Sequence, residues 1–300
     1  MFEQPSNRIP DTPWWHHVSI VSAYAGTYEI LMPLTTAYWI LNAGLRLICL
    51  LLVPRRFWAA LAIGELIPTA MMAIPTGVRF GHHWVMAELI CTMIFWMPIV
   101  ALMQDYKPIF RRDGHIEPFR VLVVSFLCAA ATSLRGSIAI LAITKQDGEP
   151  IYYLTSTTIF HWTLGSYIGA LAIAPAVLAM RERIVNERET ITWARLMQGS
   201  LFRDVLLFQI PLTIGMILAA NFLIEGYTLI GSRIALVAPI IVLGMRHGWH
   251  GAAVSGMIAS IALSTTALEH RDPSLIPMET IMAITISVWL MTTRKPMSGS

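Results

Sequence analysis

About ten apolar stretches follow one another along this chain, each close to the length a helix needs to cross a bilayer. That length is about 20 mostly apolar residues, within a range of about 17–25. The stretches lie at roughly 17–34, 36–53, 57–74, 83–103, 119–143, 159–180, 205–224, 230–245, 249–267 and 275–292. The first carries Tyr24, Tyr28 and Glu29 and the eighth is short, so about eight to ten spans are expected. None shows the period-two alternation of a membrane β-barrel. The expected fold is therefore all-α, a polytopic helical bundle embedded in a membrane. Composition closes the alternatives. Only 13% of the 300 residues are charged and 56% are hydrophobic. A soluble domain carries about 25% charged residues, and a disordered chain is far less apolar.

The basic residues give the orientation. With ten alternating spans and the N-terminus inside, 15 of the 21 Lys and Arg fall in inside segments. Arg79, Lys145, Arg233 and Arg271 fall outside, and Arg46 and Arg135 within spans. That bias follows the positive-inside rule and places both termini in the cytoplasm. The net charge of +3 then reflects topology, and no nucleic-acid partner is expected. The expected organisation is a cytoplasmic segment over 1–16, one transmembrane domain over 17–292 and a cytoplasmic tail over 293–300. The N-terminus lacks the basic region and short apolar core of a signal peptide.

Catalytic and metal motifs are missing. No P-loop, GxSxG or HExxH sequence occurs. Cys49, Cys91 and Cys128 are far apart within apolar runs, which argues against a disulfide framework or zinc site. His16–His17, His82–His83, His247 and His250 lie at span edges and read as interface residents; His161 is the exception. Trp14, Trp15, Trp58, Trp84, Trp249 and Trp289 fall near span ends, as an aromatic belt predicts. No metal, cofactor or catalytic activity is expected.

Charges inside the spans carry the functional argument, because each costs about 2.5–3.5 kcal/mol at mid-membrane on insertion scales. Arg46 and Glu65 sit about 10 Å and 12 Å from the same membrane face, on consecutive spans joined at Pro54–Arg56. They are expected to pair, either as a structural ion pair fixing the hairpin or as a buried switch. A second group lies within about 12 Å of the outer face: Glu29, Glu88, Arg135, His161, Trp162 and Asn221. Glu88 and Arg135, at similar depth on consecutive spans, form the expected second pair. Glu88, Arg135, His161, Trp162 and Asn221 are the candidate lining of a ligand cavity open to the outside. The alternative is a set of separate pairs and snorkelling groups. Glu225 and Arg233 read as interface charges. Pro98, Pro175, Pro211 and Pro239 lie inside spans, where they favour kinks. Gly44, Gly64, Gly165, Gly169, Gly215 and Gly256 permit close helix approach.

Three stretches carry a family resemblance: YWILNAGLRLICLLLVPRRFWAALAIGELIPTA at 38–70, HWTLGSYIGALAIAPAVLAMRER at 161–183 and RHGWHGAAVSGMIASIALS at 246–264. Trp39, Asn42 and Gly44, then Gly64-Glu65, then Trp162, Leu164, Gly165 and Pro175, then His247-Gly248-Trp249 and Gly251 follow in order. This pattern resembles the bacterial membrane-associated sensor domain of the first type. The resemblance implies an inner-membrane sensor module for signal transduction, whose relatives usually carry a histidine kinase, diguanylate cyclase or phosphodiesterase C-terminally. Ser166 stands where the family often has an acidic residue. The expected partners are the lipid bilayer and a separate histidine kinase or cyclic-dinucleotide output protein, with a homo-oligomer also open. The alternative function is a small-molecule transporter or the substrate-binding subunit of one.

Overall fold

A computed structural model describes residues 13–35, 39–106, 109–111, 115–143, 154–186, 199–222, 227–267 and 275–292. The described chain is helical. Its helices are α1 (Trp14–Leu31), α2 (Leu41–Leu52), α3 (Trp58–Phe80), α4 (His82–Glu88), α5 (Thr92–Tyr106) and α6 (Pro118–Leu141). Then come α7 (Ser156–Asn186), α8 (Ser200–Asp204), α9 (Ile210–Phe222), α10 (Tyr227–Ala235), α11 (Ala238–Ala267) and α12 (Leu275–Thr292). A π-helical turn, Val205–Gln209, joins α8 to α9. Helices are what a bilayer permits, because every backbone N–H and C=O must be satisfied within the segment.

Among the described residues, six helical runs are long and apolar enough to cross a membrane, and Leu41–Leu52 and Pro277–Thr292 are shorter apolar helices. The chain is thus a multi-pass membrane protein. Side chains along α3 such as Ile63, Met71, Ile74 and Val78 are exposed, and on such a run that face meets lipid.

The buried helix α7 organises the bundle, with α2, α6, α11 and α12 packed around it. Its contact with α2 is backbone-close. The Ile40 N–H donates to the Gly165 carbonyl at 3.1 Å. A Cβ at Gly169 would strike the Ile40 carbonyl, and one at Gly44 would lie 2.6 Å from Ile173 Cβ. Small residues permit this approach where lipid supplies no hydrophobic drive for association. The same contact shortens the second expected span. Residues 39 and 40 run outside the helix against α7, so α2 has 12 residues, about 18 Å long.

The expected eighth span, 230–245, takes in most of α10 and the first arm of α11, and the expected ninth is the second arm of α11. Gly248 has φ 62°, a left-handed conformation that suits glycine, and it breaks the helix. A Cβ at Gly251 would meet the Leu243 carbonyl, so the second arm folds back on the first. Gly244 and Gly256 accordingly abut Trp289 and Ile286, one turn apart on α12. In an unbroken helix those glycines would be about 18 Å apart.

Polar contacts gather at the arginine-rich helix ends. Arg55 bonds Asp105 at 2.6 Å. Asp204 accepts from Arg246 at 3.2 Å and lies 3.0 Å from His247 Nε2. Glu182, near the end of α7, accepts the Ile116 N–H at 3.3 Å and lies 2.9 Å from His115 Nδ1. Arg181 covers the Phe110 ring at 4.3 Å, and Arg111 pairs with Glu117. Phe110, His115 and Ile116, between α5 and α6, are thereby pinned to α7. Trp58, Trp84 and Trp249, expected in an interfacial belt, instead pack into the protein; Trp14 and Trp15 are exposed.

Candidate functional site

The expected fourth span is two helices. α4 ends at Glu88 and α5 begins at Thr92, with Leu89–Cys91 between them outside any helix. Such a break inside a membrane leaves carbonyls at the end of α4 and N–H groups at the start of α5 without helical partners. Charged side chains from neighbouring helices meet both ends.

At the start of α5 the partner is Glu65 of α3. Its Oε2 accepts the Met93 N–H at 3.1 Å. Arg46 of α2 holds the same carboxylate with two donors, Nη2 to Oε1 at 2.6 Å and Nε to Oε2 at 3.2 Å. Both side chains are buried, and the Arg46 guanidinium lies 4.9 Å from the Trp96 ring centroid. The carboxylate thus faces the positive end of the α5 dipole, and the forked arginine geometry suits a buried carboxylate.

At the end of α4 the partner is Arg135 of α6. Its Nη2 donates to the Glu88 carbonyl at 2.7 Å and to Glu88 Oε2 at 2.5 Å. Its Nε donates to the Ile90 carbonyl at 3.1 Å. A cation here meets the negative end of the α4 dipole. The two pairs expected from depth are therefore both present as contacts, and each clamps one side of the helix break.

A polar cavity of about 60 Å³ lies between the pairs. Its walls include Tyr28 of α1, Glu65 and Thr69 of α3, Glu88 of α4, Thr92 of α5 and Arg135 of α6. Three atoms near the Arg46 side are buried without a hydrogen-bond partner among the described residues: Tyr24 Oη, Asn42 Oδ1 and Arg46 Nη1. A larger groove of about 930 Å³ lies between α6, α7 and α12, lined by apolar groups such as Phe126, Leu164 and Val288. Two of its hydroxyls, those of Tyr167 and Ser287, bond one another at 2.9 Å. It faces lipid and holds no charge, so the ion-paired cavity has the chemistry of a site.

The remaining expected residues fall elsewhere. His161 and Trp162 stand on α7 and are not part of the cavity wall. Trp162 packs on Gly136 of α6, one residue beyond Arg135, and so supports that helix. Asn221 lies at the end of α9, and its side chain is outside the described residues, as is Glu225. Glu29 is exposed and is not part of the cavity wall. Arg233, expected at the interface, is 2% exposed. Sequence reasoning missed the break at Leu89–Cys91, which contains neither Gly nor Pro, and the wall residues Tyr28, Thr69 and Thr92. The hydroxyls could have been noticed as polar groups at the depth of Glu65 and Glu88. The break had no signal.

The MASE1 family model matches residues 17–294, nearly the whole chain. No curated protein and no solved structure matches. The matched region contains both ion pairs, the helix break and the cavity between them. The chain belongs to the MASE1 family of membrane-associated sensor domains.

Proposed function

We propose that this domain senses its stimulus at the cavity between the two ion pairs and passes the change to a separate output protein. One observation carries the reading: the clamped helix break, with a polar cavity at its centre. A ligand that prefers a different arrangement of the break shifts the domain toward it, by as much as its affinity for the two arrangements differs. The helices bearing the two arginines, α2 and α6, both pack on α7. Movement at the pairs therefore reaches the α7 end, where Glu182 holds the loop between α5 and α6. With that end in the cytoplasm of a bacterial inner membrane, as the arginine bias supports, a kinase or cyclic-dinucleotide enzyme would read it. The domain performs no chemistry itself in this reading.

Cys91 supplies the test, because it borders the cavity and is 4% exposed. In a Cys49→Ser/Cys128→Ser background, maleimide labelling of Cys91 reports opening of the break. A metabolite or lipid that changes both the labelling rate and the thermal stability supports sensing. If no metabolite or lipid class changes either, the reading fails. A broken membrane helix is also a transporter feature, so transport is the second reading. Substrate flux in proteoliposomes would replace sensing with transport.

A further inference from the structure

We infer that the cavity takes a neutral molecule of about four non-hydrogen atoms that offers an acceptor and a donor side by side, as amides and ureas do. The inference rests on the sensing site proposed above and names its ligand class.

Charge is the first argument. Glu65 and Glu88 each have an arginine within ion-pair distance, Arg46 at 2.6 Å and Arg135 at 2.5 Å. The two carboxylates and the two guanidinium groups therefore balance in charge. An added ion would bring an uncompensated charge into a membrane interior, where isolated charges are strongly disfavoured. Size is the second. A cavity of about 60 Å³ holds a few water-sized places, each needing on the order of 10–15 Å³. Sugars, nucleotides and organic phosphates do not fit it. Hydrogen-bonding capacity is the third. Arg135 spends Nε and Nη2 on Ile90 and Glu88. Its Nη1 donors and the Glu88 Oε1 acceptor carry no bond among the described residues. A carbonyl oxygen turned to Arg135 and an amide N–H turned to Glu88 would use one of each. A carboxylate would satisfy the arginine and repel Glu88. An amidinium would do the reverse.

Acetamide, acetate and acetamidinium are nearly isosteric and differ in charge, so they isolate the claim. Saturation-transfer NMR on the purified full chain in nanodiscs measures the affinity of each. The expected result is saturable contact for acetamide, with both ions weaker by on the order of tenfold or more. Glu88→Gln leaves a net positive site and should move the preference to acetate. Arg135→Gln should move it to acetamidinium. Each variant is first checked for a monodisperse elution profile, and the wild-type comparison stands even if neither variant folds. A wild-type preference for either ion, no saturable acetamide contact, or an unchanged order in folded variants overturns the inference. Acetamide binding that leaves Cys91 labelling unchanged upholds the ligand class and counts against sensing. A labelling response to a charged or larger ligand, without acetamide binding, overturns the ligand class and leaves sensing standing.

Discussion

Glu65 has three donors to lose: Arg46 Nε, Arg46 Nη2 and the Met93 N–H. Removing one member of a buried pair leaves the other charge uncompensated, which costs about 3–5 kcal/mol. Arg46→Ala and Glu65→Ala are each expected to lose stability on that scale, measured by denaturant unfolding in detergent. The double variant Arg46→Met/Glu65→Leu removes both charges and leaves chiefly the Met93 N–H without its acceptor. An unmet buried donor costs about 1–3 kcal/mol, so the double variant should be more stable than either single variant. Equal losses in all three would show that the charge left unpaired in each single variant is not what destabilises it. The pairing of Arg46 with Glu65 was legible from depth alone, because a fixed rise per residue puts both at one level beside a short turn. The role of Glu65 at the start of α5 was not legible, since it depends on where a neighbouring helix breaks.

At the scale of elements, close approach and helix interruption make separate predictions. Gly169→Val places a branched side chain against the Ile40 backbone, which cannot yield without moving α2. Overpacking of this kind costs about 1–3 kcal/mol or more, and loss of thermal stability in detergent measures it. Gly215 has nothing among the described residues within 4 Å of an added Cβ, so Gly215→Ala should leave the melting temperature unchanged or raise it slightly. Equal effects at both glycines would contradict the α2–α7 contact. At the helix break, Arg135→Gln removes donors to the Ile90 carbonyl and Glu88. The rate of maleimide labelling at Cys91 should rise, because the break then opens by local unfolding at lower free energy than global unfolding. An unchanged rate would show that the break is held by packing alone. The small residues of α7 and α2 were readable as packing residues, and the structure sets Gly44 and Gly169 against each other's helices. Gly215 departs from that expectation because an added Cβ there would meet no atom of the described residues within 4 Å.

For the whole molecule, the arginine bias predicts which helix ends face the cytoplasm. In a cysteine-free chain, Lys145→Cys should react with a membrane-impermeant maleimide in spheroplasts, and Arg188→Cys should react only after the membrane is opened. The reverse pattern would invert the topology and place the proposed output surface outside. The sequence by itself determined the solvent, the helical class, the separation of the eighth and ninth stretches near Gly248, and the shared levels of Arg46 with Glu65 and of Glu88 with Arg135. Those follow from hydropathy, backbone hydrogen bonding and the rise of a helix, which are local quantities. Only the tertiary structure decided that α2 is short, that α4 and α5 are separate, and that Glu88 and Arg135 line a cavity which His161 and Trp162 do not reach. Rise per residue gives the depth of a side chain, whereas its bearing around the helix axis and its partner are set by which faces the packed helices turn toward one another.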